Sequence, residues 1–97
     1  MYKVIVPSYL KERFPVYIEN RKKDLLALKL ALKSDDFGAI KAIGHKTKGN
    51  ASMFGFERLV LIAKNLEKAA KEENIADCED NVNLFSSAIE NFELVDA

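Results

Sequence analysis

The sequence predicts an all-α protein: an antiparallel, up-down-up-down four-helix bundle with a short N-terminal capping helix. Three observations lead there. Four long stretches place apolar residues at alternating steps of three and four, the period of a helix with one buried face. Short polar segments separate them, and short turns make consecutive helices antiparallel neighbours. Helix breakers are scarce, with two prolines and four glycines in 97 residues. An apolar share of 48% supplies a modest core for a single domain, residues 1–97.

The chain begins with YKVIV, residues 2–6. This run is apolar but too short and isolated to found a sheet. Residues 1–6 are therefore read as an extended arm laid on the bundle. Pro7-Ser8 opens the capping helix, residues 7–14, and the bundle occupies 15–97. Pro15 interrupts the hydrogen bonding and suits the first position of a new helix. That helix runs to Lys33 on a stripe of Phe14, Ile18, Arg21, Leu25, Leu28 and Leu32. Arg21 is its one polar member. It either snorkels at the core edge or lies near the level of His45.

Ser34-Asp35-Asp36 reads as a helix stop and restart, with an acidic or hydroxyl cap for the next amino terminus. A second helix over residues 36–54 ends at Phe54, with Gly55 in the left-handed position after it. Glu57 opens a third, which runs to about Lys71 on Leu59, Ile62, Leu66 and Ala70. Lys71 to Asn74 form the next turn, with Asn74 as N-cap. The last helix is expected from Ile75 to about Leu94. Its stripe is Ile75, Cys78, Val82, Phe85, Ile89 and Phe92. Cys78 sits within that stripe and reads as a buried small hydrophobe, not a reactive thiol.

Composition removes several function classes. A single cysteine excludes an intrachain disulfide and a cysteine-rich metal site, and it agrees with a reducing cytoplasm. No apolar run approaches the ~20 residues that span a membrane. The start MYKVIVPSYL lacks the apolar core of a signal peptide. Net charge is zero, which argues against nucleic acid. A cytoplasmic monomer is expected. The charges are uneven, however. Residues 1–50 carry eleven Lys+Arg against five Asp+Glu, and residues 51–97 carry four against ten. Solvated helix faces account for such a split. So does a positive field that attracts an acidic partner.

The chemistry concentrates in Gly44 to Phe56, GHKTKGNASMFGF. It holds His45, the only histidine. Lys48 follows by three positions and Gly49 by four, so all three are neighbours on a helix. At ~100° per residue, Phe37, Ile40, Gly44, Thr47, Ala51 and Phe54 share one face. His45 points roughly 140° from the centre of that face, Gly49 nearly opposite to it, and Lys48 along its flank. A lone histidine is ordinarily structural or an incidental surface residue. Placement outside the core stripe speaks against the first. Gly49 speaks against the second. A mid-helix glycine costs on the order of 1 kcal/mol against alanine. Gly44 faces inward, where close helix packing explains it. Gly49 faces water, where only a closely approaching partner does. A neutral imidazole is a good nucleophile near neutral pH. Its Nε2 can attack the phosphorus of an acyl phosphate, and a cation one turn on neutralises the equatorial oxygens. No carboxylate cluster or glycine-rich nucleotide loop lies nearby. No metal site is expected in this chain, so metal and acyl phosphate must arrive with a partner.

The pattern His-x-x-Lys-Gly, continued to Phe54-Gly55, resembles the histidine-containing phosphotransfer (HPt) domain family of multistep phosphorelays. Leu66-Glu67-Lys68-Ala69-Ala70 resembles the family's Leu-Glu-x-Ala-Ala. FPVYIENRKKDLLALKLAL resembles the first long helix of HPt domains in hybrid sensor kinases. The resemblance implies a phosphocarrier that is not itself an enzyme. His45 is then the phosphoacceptor, Lys48 steadies the phosphoryl group, and Gly49 gives access. Asn50 and Glu67 fall where relatives place polar side chains near the imidazole. Lys41, Ser52, Lys64 and Lys71 fall on the implied docking surface. The implied partners are receiver domains, which carry the phosphoryl group on an aspartate and hold Mg²⁺. Thr47 departs from the pattern, since an apolar residue is more usual there. A second resemblance is to the phosphoacceptor domain of chemotaxis-type histidine kinases, which shares His-x-x-Lys-Gly and Phe-Gly-Phe. It implies phosphorylation by an ATP-binding kinase domain. A reading of a different class is a helical interaction module with an incidental histidine, against which outward Gly49 counts.

Overall fold

A computed structural model describes residues 2–96. Four helices dominate it: α1 (Phe14–Lys33), α2 (Phe37–Met53), α3 (Glu57–Lys71) and α4 (Ile75–Glu90). α2 packs on α1 and α3, and α4 packs on the same two. The helices thus form a ring in which α2 and α4 are diagonal. The molecule is elongated, 38 × 21 × 19 Å.

The three turns between helices are built alike. Each has three residues, and each second residue is left-handed: Asp35 (φ 51°), Gly55 (φ 72°) and Glu73 (φ 53°). The residue after it donates its N–H back into the helix it leaves. Asp36 reaches Ala31 O, Phe56 reaches Ala51 O and Asn74 reaches Ala69 O, each at 2.9 Å. This pairing satisfies carbonyls that a helix end otherwise orphans. In two turns the same residue caps the next helix. Asp36 Oδ1 accepts from Ala39 N–H and Asn74 Oδ1 from Asp77 N–H, both at 3.1 Å. Gly55 has a further reason to be glycine. A Cβ there would lie 2.0 Å from Ile5 O.

The stripes bury as their spacing predicts. Ile40, Phe56, Leu59, Leu66, Cys78 and Phe85 are fully enclosed. Burial raises the Cys78 thiol pKa, with Asp77 and Glu79 adding to it, so the thiol stays protonated and inert. Arg21 is 7% exposed. Its Nε donates to Asp24 Oδ2 at 2.8 Å, and its guanidinium lies 4.6 Å over the Tyr17 ring. It is a paired, stacked member of the α1–α2 seam.

Three expectations need correction. The chain is not all-α, because residues 2–6 pair with a second strand. β1 (Tyr2–Val6) and β2 (Phe92–Asp96) form a parallel ribbon, with Tyr2 opposite Phe92 and Val6 opposite Asp96. The last helix therefore ends at Glu90 and not near Leu94. Asn91 breaks it with φ −128°, ψ 62°, while its N–H and Nδ2 both bond Ser87 O. Phe92 still reaches the core from the strand, its ring 5.3 Å from Phe14 and 6.1 Å from Phe56. The segment expected as a capping helix over 7–14 is a six-residue 3₁₀ helix, Ser8–Arg13, that runs straight into α1.

Candidate functional site

Gly44 sets the distance between α2 and α3. A Cβ there would sit 3.0 Å from Ala63 O and 3.0 Å from Glu67 N. The two backbones therefore meet one residue before His45, and the contact falls on Glu67 itself. The Glu67 side chain is thereby delivered beneath the imidazole. Its Oε2 is 2.8 Å from His45 Nδ1, and its Oε1 accepts from Lys48 Nζ at 3.0 Å. One carboxylate holds both His45 and Lys48.

The electrostatics fix the hydrogen positions. The hydrogen bond from Lys48 holds the Glu67 carboxyl below the usual carboxylate range, with His45 adding to it against the cost of desolvation. An ionised carboxylate only accepts hydrogen bonds. Nδ1 must then carry the proton, and in the neutral ring the lone pair lies on Nε2. The His45 side chain is 72% exposed while Glu67 is 20% exposed. The arrangement is an imidazole anchored at one nitrogen and open at the other.

The remaining sequence candidates divide. Gly49 is exposed, and a Cβ there would meet nothing within 4 Å. The fold itself gives no reason for that glycine. Lys41, Lys64 and Lys71 line one concavity with Lys48 and Glu67. Ser52 is exposed and lies outside it. Asn50 turns the other way. Its Oδ1 accepts from Tyr17 Oη at 2.7 Å, so it belongs to the α1 seam and not to the imidazole. Thr47 is fully buried, and its Oγ1 has no hydrogen-bond partner.

The sequence reading missed three participants. Lys68 lines the lysine concavity. Its spacing from Lys64 and Lys71, by four and three, was the available signal. Tyr17 and Asp24 flank Arg21 at i−4 and i+3 and complete its pairing. Asp24 also accepts from Lys46 Nζ at 3.1 Å, which ties the residue after His45 to α1.

Comparison with known families gives one decisive finding: the profile described as Hpt domain matches residues 15–94. The chain belongs to the Hpt domain family. Neither the curated proteins nor the solved structures contain a match. Hpt domains are phosphocarrier modules of phosphorelays, and the matched span contains His45, Lys48, Gly49 and Glu67. Among the described residues, no helix is long and apolar enough to cross a membrane.

Proposed function

We propose that this Hpt domain accepts a phosphoryl group on His45 Nε2 from the aspartyl phosphate of a receiver domain and passes it to another receiver. The observation that carries the reading is the Glu67 contact to Nδ1, which leaves Nε2 as the exposed nucleophile. In the transfer, the Nε2 lone pair forms the N–P bond. The P–O bond to the aspartyl carboxylate breaks, and its electron pair leaves with that carboxylate. The ring gains positive character at Nδ1–H, directly against the negative Glu67. Transfer to the next aspartate reverses these steps. Lys48 holds Glu67 before transfer, and the new phosphoryl oxygens compete for its ammonium. The divalent cation belongs to the receiver in this reading, and so does most of the catalysis. The three short turns and the ring of helix contacts support an up-down-up-down bundle that displays α2 along one edge.

The test is incubation with a panel of phosphorylated receiver domains, following label that is acid-labile and base-stable. Wild type should become labelled, and His45→Gln should not. The variant should keep its melting temperature, because the side chain it alters is mostly in water. Undiminished labelling of His45→Gln refutes the site. Unfolding of the variant returns the histidine to a structural role.

A further inference from the structure

A second concavity lies on the other flank of α2, where α1 and the 3₁₀ helix meet it. Its volume is about 500 Å³, within the range of small-molecule sites. Arg13 and Arg21 line it, with Val16, Phe54, Asn20 and Asn50. Arg21 is the unusual member. Its side chain is only 9% exposed, and its Nε donates to Asp24 Oδ2. A packing arginine ordinarily gives two donors to one carboxylate. Here Lys46 takes the other Asp24 oxygen, and the Nη pair of Arg21 donates to no group among the described residues. Tyr17 does not use that fork either. Its hydroxyl feels the guanidinium charge, but it donates to Asn50 Oδ1, and Arg21 covers the face of its ring. Among the described residues, Thr47 Oγ1 is the one fully enclosed side-chain atom without a partner. The Nη pair therefore reaches the surface, at the concavity that Arg21 lines.

The chemistry of the lining selects the ligand. Arg13, Arg21 and Lys46 are set against Glu12 and Asp24, which leaves one net positive charge. That balances a monoanion and falls short of a dianionic phosphate. A planar guanidinium fork matches the two oxygens of a carboxylate. Asn50 has its Oδ1 engaged by Tyr17 and its Nδ2 without a partner, so it offers a further donor. Phe54 stacks on Tyr17 with ring centroids 4.2 Å apart, and exposed Val16 adds apolar surface beside it. We propose that this concavity binds a small organic monocarboxylate, with its carboxylate on the Nη fork of Arg21 and its apolar body against Phe54 and Val16. The site uses neither His45 nor Glu67, so it stands apart from the phosphotransfer reading.

The test titrates the full chain with benzoate and follows the Arg21 Nε–H and Asn50 Nδ2–H signals by NMR. Both should shift along one saturating curve, with a Kd on the order of 1 mM for a ligand of this size. Benzylamine has the same ring and the opposite charge, and it should leave both signals in place. Inorganic phosphate should bind more weakly than benzoate. Val16→Glu adds a negative charge to the lining at a side chain already 64% exposed. It should weaken benzoate about tenfold and keep the melting temperature. Leu26→Glu, comparably exposed on α1 but outside the concavity, should bind as wild type does. Absence of a saturating shift with benzoate overturns the proposal. Equal binding of benzylamine overturns it too, because the site would then be an apolar groove. Phosphate binding as tight as benzoate, or tighter, would make it a general oxyanion site and not the one proposed. Wild-type affinity in Val16→Glu, or a loss that Leu26→Glu matches, would place the ligand elsewhere.

Discussion

On its α3 side, α2 sends His45 and Lys48 to one carboxylate, Glu67. On its α1 side it sends Lys46 to another, Asp24. The two contacts look alike in a drawing of charges. Their surroundings make them different objects. Asp24 gives its second oxygen to Arg21, which is buried and stacked on Tyr17, and Tyr17 in turn bonds Asn50. Five side chains are linked in series, and of these Lys46, at the outer end, is the one largely in water. Glu67 stands alone between two partners, one of them mostly in water. A half-exposed pair contributes little to stability, whereas breaking a buried one leaves a charge without compensation. The buried α1 network is structural, whereas the Glu67 contacts, laid over closely packed α2 and α3 backbones, leave the site side chains adjustable.

Substitution should separate the two seams most sharply at their carboxylates. Asp24→Ala strands buried Arg21 and should lower unfolding stability by about 3 kcal/mol, read from the urea midpoint. Glu67→Gln should leave that midpoint near wild type and slow phosphoryl transfer instead. If the midpoints move equally, burial does not distinguish the seams.

Next in size is an effect of pH. Burial pushes the Tyr17 hydroxyl up to about 12 from its ordinary value of 10.0. The fold favours the protonated phenol, so this contribution is whole below pH 10 and is lost as pH climbs toward 12. Two pH units correspond to about 3 kcal/mol at most. Tyr17→Phe should flatten this alkaline decline in stability, measured by denaturation at several pH values. An unchanged slope would mean that Tyr17 does not feel its burial.

Two smaller effects probe α2 away from either carboxylate. Thr47 faces the core with an orphaned hydroxyl. Thr47→Val keeps the shape and removes the buried polar atom, for a gain of about 1 kcal/mol in thermal or urea stability. A loss would reveal a bond that the hydroxyl makes. Gly49 faces open space, so Gly49→Ala should stabilise by up to about 1 kcal/mol. The same change should impair transfer, and Gly49→Gln more so. Wild-type transfer by Gly49→Gln would end its assignment as clearance for a partner.

Much of this was legible in the sequence. Helix limits at Lys33, Glu57 and Lys71 followed from caps, turns and stripes, because those signals are local. Spacing on one helix singles out His45, Lys48 and Gly49, and the structure sets the first two on one carboxylate and leaves the third facing open space. What failed was non-local. Nothing in YKVIV names FELVD as its partner some ninety positions on. Phe92 fits the helical stripe of α4 so well that only the backbone at Asn91 shows the helix has stopped. The family resemblance sets Asn50 beside the imidazole, but a motif position does not say which side of α2 packs on α1, and Asn50 accepts from Tyr17 of α1 instead. Glu67 came from family resemblance, but its shared grip on His45 and Lys48 depends on how closely Gly44 admits α3.

The parallel ribbon has a mechanical meaning. Tyr2 lies at one end of the ladder and Asp96 at the other. Tension applied to the chain at those two points slides β1 along β2 and does not peel them apart. All the ladder bonds are then strained together, and none can fail singly ahead of the rest. The helices feel no load until the whole ladder has sheared. A domain pulled by its ends would keep His45 seated on Glu67 up to that force.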